Sequence, residues 1–312
     1  MELVLLFPGQ GSQKPGMGQD LAAAHPAARL VFERVDEALG VPMSRLCFQG
    51  PAEELTLTHN AQPALFAHGA AAWAVVREAA APRVRAAAGH SLGEFTAYHA
   101  AGALDLEAGA RLVRRRGELM YESGVARPGA MAAILGDLRE AIEVLCERAT
   151  AEAGLVVPAN YNSPGQLVVS GEIAGVDRLI ELAKDAGAKR ALRLNVSGAF
   201  HSPLMAPAAD GLAVALEAAA LRAPGFPVAS NVTGDLVVDA GEAGALLRRQ
   251  LTAPVRWTDV VTTLARHFPG ALFVELGPGG VLTGLVKRIA PAVATASCGT
   301  AADVENLLQR VA

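Results

Sequence analysis

The sequence has little of several residue types, and each shortage disfavours a class of protein. Only 3 of the 312 residues are cysteines. They form neither a CxxC pair nor a disulfide framework, which favours a reducing compartment. There is no basic excess, because 27 Lys and Arg residues stand against 31 Asp and Glu residues. Without a basic tail or cluster, a nucleic-acid-binding protein is disfavoured. No His, Cys and Asp residues have the spacing of a zinc site, so no metal is predicted.

Long apolar runs are also scarce. The N-terminal segment Met1–Pro8 has no basic leader, and its apolar run is too short to cross a bilayer or to act as a signal peptide. Hydrophobic residues nevertheless make up 52% of the chain, which provides a large core. We therefore expect a cytoplasmic, monomeric α/β protein that binds neither nucleic acid nor a membrane.

Short apolar runs alternate with helical patterns in the first and last parts of the chain. Buried strands separated by helices are typical of a parallel sheet covered on both faces. The middle of the chain has a β-α-β-β-α-β order instead, as in ferredoxin-like units. We therefore predict a small domain over 126–196, inserted into a larger domain formed by 1–125 and 197–312. The predicted strands are 3–7, 84–88, 130–135, 155–160, 166–170, 190–196, 227–230 and 272–276. The predicted helices are 22–39, 62–80, 92–101, 137–153 with Asp137 as N-cap, 175–186, 204–221 and 280–289.

A G-x-S-x-G pentapeptide, Gly89–Gly93, lies between a predicted buried strand and a predicted helix. This is the setting of a nucleophile elbow, in which a serine occupies a tight turn. The flanking glycines avoid a clash there, and the start of the helix supplies N–H groups near the serine oxygen. The alternative is an ordinary glycine-rich turn in which Ser91 caps the helix.

A serine nucleophile needs a base, and the chain has 7 histidines. His201 lies in a loop where the chain re-enters the large domain, a place where site residues concentrate. The residues alone leave the choice between His201 and His267 open.

Arg116 projects from the centre of an apolar stripe on the predicted helix Glu107–Tyr121. A guanidinium group keeps its charge, so an inward-facing arginine has to meet an anion. That anion is either an internal Asp or Glu, or the carboxylate of a substrate. The sequence alone does not decide between them.

Taken together, these motifs resemble the malonyl-CoA:acyl-carrier-protein transacylases, the acyltransferase family of fatty-acid and polyketide synthesis. The resemblance extends over nearly the whole chain. The matching segments are Phe7–Gln13, Gly89–Glu94, Arg116–Gly117, Asn160–Gln166, Gly198–Ser202, Gln250 with Pro254–Trp257, and Glu275–Gly279.

The resemblance implies an α/β-hydrolase-like large domain with a ferredoxin-like small domain. It implies that Ser91 is the acylated nucleophile and that His201 is its base, oriented by the backbone carbonyl of Gln250. The backbone N–H groups of Gln10 and Leu92 are then the oxyanion hole, and Arg116 holds the free malonyl carboxylate. Asn160, Phe200 and Gln250 are further substrate-binding residues on this analogy.

The implied reaction is a ping-pong transfer of malonyl from malonyl-CoA to the phosphopantetheine thiol of an acyl carrier protein, a transient partner. No bound cofactor is expected. Leu92 and the bulky Phe200 favour malonyl over a branched acyl group. Fatty-acid synthesis, polyketide synthesis and malonate decarboxylase priming remain open as pathways.

Two other functions are compatible with part of the pattern. A serine hydrolase or esterase could use the same elbow, but it gains nothing from an inward arginine if its substrates are neutral. A scaffold or carrier-binding module could keep the fold without the chemistry, but it would be free to lose Ser91, His201 and Arg116.

Overall fold

Two separate β-sheets organise the molecule. A computed structural model describes residues 1–311 of the chain. Within that range, six strands form one sheet and four strands form the other. The strands are β1 (Leu3–Phe7), β2 (Val84–Gly89), β3 (Ala130–Leu135), β4 (Val156–Ser163), β5 (Gln166–Gly171), β6 (Arg190–Arg193), β7 (Val228–Ala229), β8 (Leu236–Val237), β9 (Leu272–Glu275) and β10 (Thr295–Ser297).

Helices connect and cover the strands. In chain order they are α1 (Gln19–Ala24), α2 (Pro26–Leu39), α3 (Met43–Gln49), α4 (Ala52–Thr56), α5 (Thr58–Ala80), α6 (Leu92–Ala100), α7 (Leu106–Ala126), α8 (Ile142–Ala153), α9 (Ile173–Asp185), α10 (Ala206–Ala219), α11 (Ala240–Gln250), α12 (Trp257–His267), α13 (Val281–Ile289) and α14 (Ala301–Val311).

The larger sheet has the strand order β10-β9-β1-β2-β7-β8. Its neighbouring strands are parallel, except that β7 and β8 are antiparallel. Leu3, Leu5 and Phe7 of β1 point into a core that includes α2, α5 and α7. Val4 and Leu6 point to the opposite face, which α12 and α13 cover. The prediction of an α/β protein with a parallel sheet is therefore confirmed, although the sheet is mixed at one edge.

The smaller sheet is entirely antiparallel and has the strand order β4-β5-β3-β6. One face packs on α8 and α9, where Ile134 shares a core with Leu145 and Leu179. Met131 and Val168 belong instead to the core of the larger sheet. The predicted β-α-β-β-α-β order is present in β3-α8-β4-β5-α9-β6.

The chain enters and leaves the smaller sheet at one place. The entering connection follows Gly124 in α7, and the leaving connection passes through Ser197. A Cβ atom at Gly124 would lie only 2.1 Å from the Ser197 carbonyl oxygen, so the two connections touch. The loop that follows Ser197 therefore returns to the larger sheet beside α7.

Parallel pairing determines where the functional loops meet. Phe7 at the end of β1 pairs with Gly89 at the end of β2. The segments that follow, with Gln10 and Ser91, therefore leave the same edge of the sheet. The carboxyl edge of a parallel sheet is where α/β proteins place ligands.

Two helices differ from their predicted bounds: one is divided into two, and the other begins later along the chain. The helix predicted over 22–39 is α1 and α2, separated at His25, whose backbone is extended. The cause is Pro26, because proline drives the preceding residue out of the helical region. The Asp137 cap is also wrong, since α8 begins at Ile142. The N–H of Arg139 donates to the Ala186 carbonyl instead, which ties this segment to the end of α9.

The helix predicted from residue 62 begins earlier, at Thr58, and contains Pro63. Proline has no N–H to donate within a helix, so it leaves a carbonyl without its usual partner. In this chain the Arg114 Nη1 atom donates to the His59 carbonyl at 3.0 Å. A side chain from α7 therefore makes the proline tolerable inside α5.

Candidate active site

Ser91 stands between the end of β2 and the start of α6, as the strand–turn–helix pattern predicts. Its φ of 50° lies in the left-handed region, which residues other than glycine rarely adopt. A Cβ atom at Gly89 would lie 1.8 Å from the Gly93 carbonyl carbon. One at Gly93 would lie 2.0 Å from the Phe7 carbonyl oxygen. These distances confirm that both flanking positions require glycine for steric reasons.

Asn231 holds this turn from a distant part of the chain. Its Oδ1 atom accepts a hydrogen bond from the Ser91 N–H at 2.6 Å, and its Nδ2 atom donates to the Gly89 carbonyl at 2.7 Å. The side chain is fully buried. Asn231 was not predicted as a site residue, since nothing in the local sequence indicates a contact 140 positions away.

His201 reaches Ser91 from the loop after the smaller sheet. Its Nε2 atom lies 2.8 Å from the Ser91 Oγ atom. The other ring nitrogen, Nδ1, lies 2.8 Å from the Gln250 carbonyl oxygen and 3.2 Å from that of Ala253. Carbonyls only accept hydrogen bonds, so the proton resides on Nδ1 and Nε2 is free to accept the serine proton.

The imidazole of His201 is neutral over a wide pH range. Burial, and after it the positive charge of Arg116, together lower its pKa to about 3. The Nδ1 atom of His267, the other candidate, donates to the Thr263 carbonyl within α12 at 2.8 Å. The structure therefore pairs Ser91 with His201.

Arg116 faces inward, as its position on the helical wheel predicts, and its side chain is 1% exposed. Its Nη1 atom donates to the Gln62 Oε1 atom at 2.8 Å, and its Nη2 atom to the Gln250 Oε1 atom at 2.8 Å. Nη2 also lies 3.1 Å from the Ser91 Oγ atom. The Phe95 ring lies beneath the guanidinium, 5.2 Å from it.

The alternative of a structural ion pair at Arg116 is not what the structure shows. Within residues 1–311, no Asp or Glu oxygen lies at ion-pair distance from this guanidinium. Burial lowers the pKa of Arg116 to about 9, so the group is still charged at neutral pH. A buried cation held only by amide oxygens and a hydroxyl can accept a small anion.

A cavity of about 120 Å³ surrounds Ser91. Both sheets contribute to it, since Met131 and Val168 come from the smaller one. The predicted site residues that line it are Gln10, Ser91, Leu92, Arg116, Asn160, Phe200 and His201. Gln250 is not in the lining, but its carbonyl and its side chain reach His201 and Arg116 from behind.

Three of these lining residues bear on substrate binding. Leu92 is the first residue of α6, so its N–H has no carbonyl partner inside the helix. Phe200 presents a buried ring. The Asn160 Oδ1 atom is buried and has no hydrogen-bond partner in the described part of the chain.

Two further polar residues at the site escaped sequence analysis. Gln62 is fully buried in α5 and accepts from Arg116, and a buried glutamine in an alanine-rich helix is a signal that could have found it. Glu94 is fully buried in α6 behind Ser91. It belongs to the same motif as Ser91, but the motif itself does not indicate what the carboxylate contacts.

The 1–311 range contains no group of three or more His, Cys, Asp and Glu side chains that could hold a metal ion. None of the helices in that range combines the length and the apolar character that a membrane crossing requires.

Ser91, His201 and the Arg116 guanidinium thus meet in one small cavity. A family described as the acyl transferase domain matches residues 4–304 of the chain. The chain belongs to the acyl transferase family. The resemblance found in the sequence is therefore confirmed, and the protein is an enzyme of the acyltransferase class.

Named relatives agree along the length of the chain. A malonyl CoA-acyl carrier protein transacylase of Bacillus subtilis is 44% identical over 99% of this chain and 96% of its own length. One from Escherichia coli K12 is also 44% identical, over 92% of this chain and 93% of its own.

Solved structures of the same family superpose closely. An acyl-carrier-protein S-malonyltransferase of Bartonella henselae has a TM-score of 0.94 and 41% identity, covering 100% of this chain and 99% of that one. A malonyl-transacylase solved in complex with a type II polyketide acyl-carrier protein has a TM-score of 0.94 and 42% identity. The match covers 99% of this chain and 100% of that one.

Proposed function

We propose that this enzyme transfers a malonyl group from malonyl-CoA to the phosphopantetheine thiol of an acyl carrier protein. The observation that carries the proposal is the buried Arg116 guanidinium, 3.1 Å from the Ser91 Oγ atom. A cation at this distance suits an acyl group that carries its own carboxylate. An esterase for neutral substrates would bury that charge without benefit.

The proposed reaction has two half-reactions through Ser91. His201 removes the serine proton through Nε2, and Oγ attacks the thioester carbonyl of malonyl-CoA. The tetrahedral intermediate collapses, CoA leaves as a thiol, and malonyl remains as an ester on Ser91. The carrier thiol then gives its proton to His201 and attacks the ester. His201 returns that proton to the Ser91 Oγ atom as the malonyl thioester leaves.

Two features of the site assist both half-reactions. The Gln250 carbonyl keeps the proton on Nδ1 of His201 and stabilises the imidazolium that forms. In the proposed oxyanion hole, the backbone N–H groups of Gln10 and Leu92 donate to the thioester oxygen as it becomes negative.

Acyl selection rests on the walls of the cavity. Arg116 pairs with the malonyl carboxylate, which replaces an amide oxygen of Gln62 or Gln250 at the guanidinium. Phe200 narrows the cavity against a branched acyl group, and Asn160 borders the acyl chain. Since the cavity is only about 120 Å³, it holds a short acyl group and little water.

We also propose the domain division and the finer fold names that go with this function. Residues 1–125 and 197–312 form an α/β-hydrolase-like catalytic domain, and 126–196 form a ferredoxin-like one. The β4-β5-β3-β6 antiparallel order supports the name ferredoxin-like, and the contact between Gly124 and Ser197 supports the boundaries.

The names of the relatives support an acyl carrier protein as a transient partner. We further propose a cytoplasmic monomer that needs no bound cofactor, in fatty-acid or polyketide synthesis.

Intact mass spectrometry tests the proposed reaction. Brief exposure to malonyl-CoA should add the mass of one malonyl group, and the pantetheinylated carrier protein should remove it. The Ser91→Ala variant should show no adduct under the same conditions. Adduct formation without discharge to the carrier, or hydrolysis that outpaces transfer, would favour a hydrolase instead.

A further inference from the structure

A second buried charge lies behind Ser91, and the proposed reaction does not use it. The Glu94 side chain is fully buried in α6. Its Oε2 atom accepts from the Gln250 Nε2 atom at 2.6 Å and from the Asn231 backbone N–H at 3.2 Å. Its Oε1 atom has no hydrogen-bond partner within residues 1–311.

These contacts join Glu94 to each part of the catalytic machinery. Asn231 holds the turn at Ser91, and Gln250 holds both His201 and Arg116. The Gln250 Nε2 atom also donates to the Ser91 carbonyl at 3.0 Å. Glu94 therefore fixes the two residues that orient the nucleophile, the base and the cation.

Within residues 1–311, Arg116 is the cation whose charge acts on the Glu94 carboxyl. The empty site therefore contains one buried positive and one buried negative charge, and a malonyl carboxylate adds a second negative charge. Other ionisable groups on the elements around this site include Tyr98 and His99 of α6, His68 of α5, Glu242 of α11, and His90 and His201 of the loops. The α11 arginines Arg248 and Arg249 are exposed to solvent. Loss of solvent contact lowers the pKa of His90, His99 and His201 below the ordinary histidine value, so these side chains supply no second positive charge near neutral pH.

We propose that Glu94 is a positioning residue that balances the charge of Arg116 in the empty site and takes up one proton when the malonyl carboxylate binds there. The inference rests on the proposed function, because it needs an acyl group with a free carboxylate. The proton comes from solvent and returns to it when the acyl group leaves.

The hydrogen bonds of Glu94 allow this change at little structural cost. Oε2 continues to accept from Gln250 and Asn231 while Oε1, which has no partner, takes the proton. Burial raises the pKa of Glu94 to about 7, so a modest further rise is enough to protonate it near neutral pH. Leaving two anions buried beside one cation would be far less favourable.

The KM for malonyl-CoA should rise as the pH rises through 7. Below pH 7 the carboxyl is already neutral and Arg116 is free for the substrate, whereas above it the carboxylate competes with malonyl for the same cation. For a group with a pKa of about 7 that has to be protonated in the complex, the KM for malonyl-CoA rises roughly fivefold from pH 7 to pH 8.

Glu94→Gln is the informative variant, because the amide oxygen can accept both hydrogen bonds that Oε2 accepts now, while the amide cannot titrate. We expect the KM of this variant for malonyl-CoA to stay flat over the same pH range. Glu242→Gln removes an exposed negative charge on α11 and serves as the matched control. The KM of this control for malonyl-CoA should keep the pH dependence of the unmodified enzyme.

Calorimetry on Ser91→Ala protein measures the proton directly, since malonyl-CoA binds to it without reacting. At pH 8, in buffers of different ionisation enthalpy, malonyl-CoA should bind with uptake of about 0.9 proton for a pKa near 7. Acetyl-CoA, which has no free carboxylate, should bind to the Ser91→Ala protein without proton uptake. Malonyl-CoA should also bind without proton uptake to a double variant that carries both Ser91→Ala and Glu94→Gln.

Two results would overturn the inference: malonyl-CoA binding without proton uptake, or equal uptake in the Glu94→Gln protein. Either leaves the proposed function standing if wild-type enzyme still forms a malonyl adduct. Failure to form that adduct would instead remove the proposed function itself.

Discussion

Replacement of Arg116 by alanine separates a malonyl transferase from a general acyl transferase. The substitution removes the buried guanidinium and leaves Ser91, His201 and the backbone N–H groups of the elbow in place. We expect transfer of malonyl to fall strongly, while transfer of acetyl, which has no carboxylate, is spared or raised.

The size of the loss follows from the contacts of the guanidinium. Its two terminal nitrogens now donate to the amide oxygens of Gln62 and Gln250, each at 2.8 Å. Charge-assisted hydrogen bonds contribute about 1.5–3 kcal/mol each, so two bonds to a malonyl carboxylate contribute about 3–6 kcal/mol. At 1.36 kcal/mol for each factor of ten, kcat/KM for malonyl-CoA should fall roughly 10²- to 10⁴-fold.

The assay compares kcat/KM for malonyl-CoA and acetyl-CoA with the same carrier protein. Arg115→Ala is the matched control, since Arg115 is the neighbouring arginine of α7 and pairs with Glu118 and Glu122 at the surface. It should change neither substrate appreciably. Equal losses for malonyl and acetyl in Arg116→Ala, with an unchanged Tm, would refute the reasoning.

Three further predictions concern the base and the turn that carries the nucleophile. Because burial and the nearby guanidinium lower the pKa of His201 to about 3, the rate of acylation measured by rapid quench should show no fall from His201 protonation between pH 7 and pH 5; a midpoint near 6.5 would contradict this. Asn231→Ala leaves the two buried backbone groups of the turn without partners, so denaturant titration should show a loss of about 1–3 kcal/mol for each, whereas an unchanged midpoint would show that water replaces the side chain. Gly93→Ala places a Cβ atom 2.0 Å from a β1 carbonyl oxygen and should lower the Tm sharply or abolish soluble expression. Gly284→Ala in α13, where nothing lies within 4 Å of the new Cβ, should instead keep or raise the Tm, and equal effects of the two would contradict the steric argument.

Local sequence patterns predicted much of the fold. The strand predicted over residues 3–7 coincides with β1, because five consecutive apolar residues buried on both faces leave little ambiguity. The inward direction of Arg116 was also predictable, since the helical wheel depends only on residue spacing. The G-x-S-x-G pattern likewise placed Ser91, because its glycines are required by contacts within the turn and with the adjacent strand.

Features that depend on distant contacts were not predictable. Asn231 and Glu94 act through bonds across 137 to 156 positions, and neither has a local signature. No helix was predicted between residues 231 and 271, where the structure has α11 and α12. The stability of both comes mainly from packing against a core that the sequence alone does not display.

The pairing of His201 with Ser91 illustrates the same limit. The residues alone left His201 and His267 as candidates, and the resemblance favoured the first. Only the return of the chain beside α7 places the ring 2.8 Å from the serine oxygen. Its orientation depends on a backbone carbonyl at Gln250, and no side-chain pattern can indicate a carbonyl.

A crystal structure of the enzyme after exposure to malonyl-CoA tests the central claim most directly. The account predicts an ester between malonyl and the Ser91 Oγ atom, with the far carboxylate hydrogen-bonded to the Arg116 guanidinium in place of an amide oxygen. A malonyl group on another residue, or a carboxylate that points to solvent while Arg116 keeps both of its glutamine partners, would contradict it.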